Sequence, residues 1–166
     1  MRGLELRSAY TWSKGDLEWV RQIKNTDFVQ KFSEGNNLRS EEQQQEWYKR
    51  ITESNNEKWF IIYDSSSVIG ACCLDVNWVF RNAEFTIYLR ENEVGKGFGS
   101  LALKELLSYG FNQVNLHKIW GKVFDYNKGA IALYEKLGFV KEADLKDHVF
   151  KDGKYRSVYI YSKFKE

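Results

Sequence analysis

Apolar residues recur along the chain with two different periods, and the order of these periods predicts the order of the elements. Alternating or continuous short apolar stretches are typical of β-strands, and they occur at residues 3–9, 58–63, 68–74, 83–89 and 117–124. Apolar residues three and four positions apart indicate helices, and they occur at 15–25, from Ser40, at 99–113 and at 127–137. At Ser40, a capping box with Gln43 is expected.

A hairpin closes the chain, with Asp152-Gly153 as its turn between strands at 147–150 and 155–161. The predicted order is strand, two helices, three strands, helix, strand, helix and two strands, which is typical of an α/β fold. Nothing in the composition marks an internal boundary, since the 166 residues include no proline. We therefore expect one domain over 1–166, large enough to bury roughly 70% of its unfolded surface.

The charge pattern narrows the possible partners. The chain has 25 basic and 23 acidic residues, a formal net charge of +2, and they are scattered. This balance argues against binding to nucleic acid or to an anionic membrane. No apolar run is long enough to cross a bilayer, and the strand-like N-terminus has no leader character, so a cytoplasmic location is expected. The adjacent Cys72 and Cys73 and the two histidines suit neither a disulfide nor a metal site.

A glycine-rich turn connects the strand at 83–89 to the helix at 99–113. Its sequence is Val94-Gly95-Lys96-Gly97-Phe98-Gly99-Ser100. Glycines at a helix N-terminus expose backbone N–H groups, which favours a bound anion. The spacing fits neither the nucleotide P-loop nor the dinucleotide fingerprint. A flexible connection without a ligand is the alternative, and Lys96 is either a phosphate contact or a solvated surface lysine.

The strand that enters this turn has two different faces. Successive side chains of a strand point to opposite faces. One face is apolar, with Ala83, Phe85, Ile87 and Leu89, and the other is polar, with Glu84, Thr86 and Tyr88. Because an interior strand under helices is usually apolar on both faces, the polar row indicates a cleft. An edge strand with a solvated face is the alternative.

The helix at 127–137 turns Tyr134 toward the core, because Ala130, Ile131, Tyr134 and Leu137 share one side. A buried phenol needs a partner for its hydroxyl. A catalytic role and a plain core position are both open on this evidence.

The combination of these segments resembles the GNAT superfamily of N-acetyltransferases, whose pyrophosphate loop has the form Gln/Arg-x-x-Gly-x-Gly/Ala. The turn fits at both glycines and departs at Val94. The run from Val123 to Phe139, with Asn127 and Tyr134, is similar to the family's second cofactor segment. Residues 81–85 and 150–155 resemble the ribosomal-protein alanine acetyltransferase branch, which is similar to bacterial spermidine acetyltransferases.

This resemblance implies a single mixed, mostly antiparallel sheet of about seven strands, with helices on both faces and strands four and five splayed apart. It implies acetyl-CoA as the acetyl donor. Backbone N–H groups from Val94 to Ser100 would hold its pyrophosphate, and Ile87, Tyr88 and Leu89 would pair with its pantetheine arm. Asn127 and Ala130 would contact the cofactor from the other side of the splay.

The same resemblance suggests a mechanism. Tyr134 would protonate, or donate a hydrogen bond to, the departing thiolate. Glu84 is the candidate base for the amine, with a structural ion pair as the alternative. Direct attack of the amine, with no acyl-enzyme, is expected.

The sequence says least about the amine that would accept the acetyl group. Phe32, Glu34 and Trp78 are candidate substrate contacts, with packing as the alternative for the aromatic residues. A protein N-terminus or a small amine is favoured over a polyamine, because Arg39 would oppose a polycation. An amino sugar, a non-catalytic acyl-CoA sensor and a homo-oligomeric state remain open.

Overall fold

A computed structural model describes residues 3–35, 38–65 and 67–166 of the chain. The strands are β1 (Leu4–Ser8), β2 (Glu57–Asp64), β3 (Ser67–Asn77), β4 (Asn82–Leu89), β5 (Lys118–Phe124), β6 (Val140–Lys151) and β7 (Lys154–Phe164). The helices are α1 (Lys14–Lys24), α2 (Asp27–Lys31), α3 (Glu41–Glu53), α4 (Phe98–Ser108) and α5 (Lys128–Lys136). None of the described helices is long and apolar enough to span a membrane.

The seven strands form one sheet in the order β1-β2-β3-β4-β5-β7-β6. Every neighbouring pair is antiparallel except β4 and β5, which are parallel. The predicted α/β class and the mixed, mostly antiparallel sheet are therefore confirmed.

Two apolar layers cover the sheet, one on each face. The layer under α4 and α5 includes the fully buried Leu103, Leu106 and Ile119. The layer under α1 and α3 includes Val20 and Ile51, which are also buried. Each helix buries one apolar stripe against the sheet, so the helical periodicity of the sequence corresponds to these two layers.

Local hydrogen bonds explain where the helices begin. The predicted box at α3 is confirmed: the Ser40 hydroxyl accepts the Gln43 N–H, and the Gln43 side chain accepts the Ser40 N–H. The same arrangement joins Ser13 and Asp16 at α1. Thr26 caps the five-residue helix α2, which was not predicted because so short a segment carries no measurable period.

The helix after the glycine turn and the closing hairpin differ most from their predicted lengths. The helix predicted over 99–113 is α-helical only to Ser108, and one π-helical turn follows over Tyr109–Gln113. The closing hairpin is much longer than predicted. Register shifts between Lys141 and Ala143, and between Leu145 and Val149, interrupt the strict alternation while the strands stay paired.

Candidate active site

The central feature of the site is the separation of β4 from β5. Their pairing consists of Asn82 with Lys118, Ala83 with Ile119 and Glu84 with Trp120, and it ends there. Beyond this point β4 stays paired with β3 through Leu89, and β5 stays paired with β7 through Phe124. The predicted splay between strands four and five is confirmed, and the edge of β4 from Phe85 to Leu89 faces the gap.

An aromatic ring lies where the strands part. A Cβ atom on Gly121 would be 2.5 Å from the Phe85 ring, so only glycine leaves room for this ring. Phe85 is 4% exposed and packs edge-to-face on Tyr134, with ring centroids 5.1 Å apart. Directly after the Glu84–Trp120 pair, the packed ring of Phe85 therefore stands where the pairing of β4 with β5 would otherwise continue.

The glycine turn has the backbone shape that its sequence predicts. Gly95 and Gly97 have φ values of +80° and +91°, and a Cβ at either position would meet no atom within 4 Å. Gly97 is the N-cap of α4, where no side chain caps the helix, and the first intrahelical bond runs from the Leu101 N–H to the Gly97 carbonyl. The amides of Gly99 and Ser100 lie in that first turn, where helices bind anions.

The side chains of this turn have separate roles. Lys96 forms an ion pair with Glu93 at 3.1 Å, which favours the surface interpretation of this lysine. Phe98 is 2% exposed and belongs to the core, whereas Val94 is half exposed. These positions leave the backbone N–H groups as the main candidates for contact with a pyrophosphate, and that contact stays a prediction.

Helix α5 begins on the opposite side of the gap. The Oδ1 atom of Asn127 accepts the Ala130 N–H at 3.2 Å, so Asn127 is the N-cap of the helix. A Cβ on Gly99 would lie 3.3 Å from Leu133 and 3.6 Å from Leu89, so this glycine brings α4 close to α5 and to the end of β4. The cofactor contacts of Asn127 and Ala130 stay predictions, and capping is the role that the structure adds.

Tyr134 points inward from α5, as its helical position predicts. It is 5% exposed, and its ring lies 5.7 Å from that of Phe139 and 6.0 Å from that of Tyr161. Burial raises the pKa of Tyr134 above its usual value. The phenol therefore keeps its proton at neutral pH and can act as a hydrogen-bond donor.

The polar face of β4 carries an ion-pair cluster, which includes the structural ion pair given above as the alternative role of Glu84. The Lys122 Nζ atom lies 3.3 Å from an oxygen of Glu84 and 3.7 Å from an oxygen of Glu34. Alternation along β5 places Lys122 on the same face as Trp120, the strand partner of Glu84. The strand alternation could have indicated Lys122, whereas its contact with Glu34 depends on the tertiary fold.

The segment that carries Phe32 and Glu34 is attached to two other elements. Phe32 stacks on Tyr126 with ring centroids 5.8 Å apart, and the Tyr126 hydroxyl donates to the Lys31 carbonyl. Lys151, at the end of β6, is 7% exposed and donates to the carbonyls of Gln30 and Ser33. These contacts fix residues 30–33 beside the end of β5.

Trp78, the third predicted acceptor contact, lies on the turn between β3 and β4. Its indole N–H donates to the Asn55 carbonyl at 3.2 Å, and the Lys58 ammonium lies 5.9 Å from its ring. These contacts connect two turns and favour packing over substrate binding. The acceptor role of Trp78 stays a prediction.

The two cysteines do not serve as nucleophiles in this arrangement. Cys72 and Cys73 are buried and unbridged, and burial raises the pKa of both thiols. In the ranges that the structure describes, no cluster of three or more His, Cys, Asp or Glu side chains could hold a metal ion.

Comparison with known proteins decides the family to which this gap and this glycine turn belong. The model of the acetyltransferase (GNAT) family matches residues 20–139, more than half of the chain. The chain belongs to this acetyltransferase family. It is an N-acetyltransferase that uses acetyl-CoA as the acetyl donor.

This acetyltransferase is similar to bacterial enzymes of known name. It is 31% identical over 147 residues to spermidine N(1)-acetyltransferase of Vibrio cholerae, covering 87% of this chain and 85% of the relative. It is 31% identical over 143 residues to the Escherichia coli K12 enzyme of the same name, covering 86% and 77%. A crystal structure of the Vibrio cholerae enzyme in complex with CoA and spermine superposes with a TM-score of 0.90, at 31% identity, over 97% of this chain and 95% of that one.

Proposed function

We propose that this acetyltransferase acetylates a primary amino group of a small aliphatic polyamine, with spermidine as the first acceptor to test. One observation carries the proposal: a primary ammonium, that of Lys122, is already held by Glu84 at 3.3 Å and by Glu34 at 3.7 Å where the strands part. Carboxylate pairs bind ammonium groups through charge-assisted hydrogen bonds. An acceptor ammonium would find the same two partners.

The relatives support this acceptor class over a protein N-terminus. Two bacterial spermidine acetyltransferases match most of the chain, and one was crystallised with spermine. Arg39, which was expected from the sequence to oppose a polycation, lies over the Trp47 ring and donates to Gln44. Its guanidinium thus has a structural role within the α1 and α3 layer. The ribosomal-protein branch remains only a prediction from sequence.

The reaction needs the acceptor as a free amine, because an ammonium has no lone pair for attack. We infer that Glu84, on β4 beside the gap, takes the proton directly or through a water. The amine then attacks the thioester carbonyl and forms the new C–N bond. Backbone N–H groups of Ile87, Tyr88 and Leu89 are the proposed donors to the oxyanion that develops on the carbonyl oxygen.

Collapse of this intermediate breaks the C–S bond, and the nitrogen loses its extra proton to water, which yields the neutral acetamide and the CoA thiolate. The Tyr134 hydroxyl is the proposed hydrogen-bond donor to that sulfur. Because burial raises the pKa of Tyr134, while a thiol has a pKa near ~8.5, full proton transfer to the thiolate is uphill. Hydrogen bonding is therefore the favoured role, and solvent supplies the final proton. Direct transfer is consistent with the buried, protonated state of Cys72 and Cys73.

The test is a thiol-release assay with acetyl-CoA and a panel of amines, with products identified by mass spectrometry. The panel contains spermidine, spermine, putrescine, peptides with free N-termini and amino sugars. We expect the highest kcat/KM among the aliphatic amines. Turnover confined to peptides or to amino sugars would overturn the proposed acceptor class. Binding of acetyl-CoA by calorimetry, without turnover on any amine, would instead support a sensor.

A further inference from the structure

The Lys122 ammonium marks the proposed position of the acceptor's amino group. Because it is part of the protein, it also competes with the acceptor for Glu34 and Glu84. Glu34, Glu84 and Lys122 together carry a formal charge of −1, where the two carboxylates alone would carry −2. A single acceptor ammonium neutralises this cluster. Each further cation on the same acceptor adds uncompensated positive charge at this position.

Other cations surround the same part of the cleft. The Lys24 ammonium lies 5.6 Å from the ring of Tyr88, on the polar face of β4, and donates to the Ser33 hydroxyl. Burial, and then the charges of Arg39 and Lys151, lower the pKa of Lys24. Lys151 itself is bonded to carbonyl oxygens, which carry no formal charge. The Lys24 and Lys151 ammonium groups thus both lie against Ser33, the residue before Glu34.

From this arrangement we propose that Lys122 is a specificity-determining residue, which limits the positive charge of the acceptors that bind well between Glu34 and Glu84. The inference rests on the proposed function, since it concerns the same amine site. Short amines of low charge are favoured over long polyamines as long as the Lys122 ammonium occupies the pair. The acceptor binds by displacing this ammonium from one of the two carboxylates.

The decisive variant is Lys122→Met, which keeps an unbranched apolar side chain one heavy atom shorter and removes its charge. We compare spermine, which carries about four positive charges at neutral pH, with putrescine, which carries about two, since aliphatic amines titrate near ~10. The ratio of kcat/KM for spermine to that for putrescine should rise about five- to thirty-fold in Lys122→Met. The change in this ratio should appear in KM, as expected for altered binding.

Two matched variants separate charge from structure. Lys122→Arg keeps the charge and should retain the wild-type ratio. Lys118→Met removes another lysine of β5 from the same face, one that pairs with Glu142 instead, and should also leave the ratio unchanged. The gain in Lys122→Met should shrink at about 0.5 M salt, because partly exposed charges are screened.

The outcomes distinguish this inference from the proposed function. If the wild type acetylates polyamines and Lys122→Met has the wild-type ratio, the charge limit is wrong and the proposed function stands. If only Lys122→Met acetylates spermine and spermidine, the charge limit stands and the proposed acceptor is wrong for the natural chain. If neither enzyme acts on polyamines, calorimetry with spermine decides: tighter binding to Lys122→Met supports the inference, and equal binding overturns it.

Discussion

The ring of Phe85 occupies the space that a Cβ atom on Gly121 would need, at 2.5 Å from the position of that atom. These two residues come directly after Glu84 and Trp120, the last pair between β4 and β5. In a continuous parallel ladder they would be the next partners. The packing of Phe85 over Gly121, and of Tyr134 against Phe85, thus couples the opening of the sheet to the position of the proposed catalytic phenol.

Substitution of Gly121 by Ala tests this coupling. The added methyl group would overlap the Phe85 ring, and overpacking of this kind costs about 1–3 kcal/mol. We expect the melting temperature to fall by about 3–10 °C and turnover to fall with it, because displacement of Phe85 moves Tyr134. Gly129→Ala is the control, since a Cβ there meets no atom within 4 Å. A fully stable and active Gly121→Ala enzyme would show that the ring does not fix the gap.

Substitution of Tyr134 by Phe removes the proposed donor to the sulfur and retains the ring that packs on Phe85. We expect kcat to fall about ten- to a thousand-fold, with the affinity for CoA unchanged by calorimetry. Because the pKa of Tyr134 is raised by burial, its ionisation should produce no loss of wild-type activity below about pH 10.

The neighbouring Tyr161 provides a matched control for this experiment. Its hydroxyl donates to Glu135 at 2.8 Å, and burial and the Glu135 bond raise its pKa to about 12. Tyr161→Phe should therefore retain wild-type kcat. Equal losses in the two variants would assign the effect to core packing and remove Tyr134 from the mechanism.

The glycine turn is tested at Gly97, where φ is +91° and the surroundings leave room for a methyl group. An alanine there is opposed by backbone conformation alone, which costs about 1–2 kcal/mol in the left-handed region. We expect the KM for acetyl-CoA to rise about ten-fold and the KM for the amine to stay constant. Gly15→Ala, in α1, is the control. If the amine KM rises instead, the turn does not hold the pyrophosphate.

Much of this architecture could be predicted from local patterns. The periodicities gave the order of the strands and of four helices, and Ser40 with Gln43 gave the start of α3. The splay of strands four and five and the use of acetyl-CoA were predicted from the resemblance of the glycine turn and of the Asn127–Tyr134 segment to one family. These features are encoded within short segments, which is why one sequence was sufficient to find them.

The features that were missed depend on contacts between distant segments. Lys122 meets Glu34 only because the segment after α2 lies beside β5, whereas its contact with Glu84 follows from the pairing of β4 with β5. Lys151 reaches the carbonyls of Gln30 and Ser33 across more than a hundred residues of chain. Neither residue stands in a motif, so the acceptor side of the cleft could not be predicted as the donor side was.

Lys151 gives a prediction about this acceptor side. Lys151→Met removes the ammonium that donates to the Gln30 and Ser33 carbonyls, so both carbonyls lose a hydrogen bond. Such a loss costs about 1–3 kcal/mol for a buried group. We expect the KM for the amine to rise several-fold while the KM for acetyl-CoA stays constant, because the segment carries Phe32 and precedes Glu34. Lys146→Met, exposed on the same strand, should change neither constant. A rise in the acetyl-CoA KM alone would contradict the assignment of this segment to the amine.

Glu84 has two interpretations, a base or the structural partner of Lys122, and the pH profile of Glu84→Gln separates them. Without a base, the enzyme depends on the fraction of acceptor that is already a free amine, which rises about ten-fold per pH unit below the amine pKa. The deficit of Glu84→Gln in kcat/KM should therefore be largest near pH 6 and shrink toward pH 9. A structural role predicts a deficit that is constant with pH, because the broken ion pair is broken at every pH in this range. Glu93→Gln, which breaks the ion pair with Lys96 in the glycine turn, is the control for the loss of a carboxylate and should reproduce the wild-type profile.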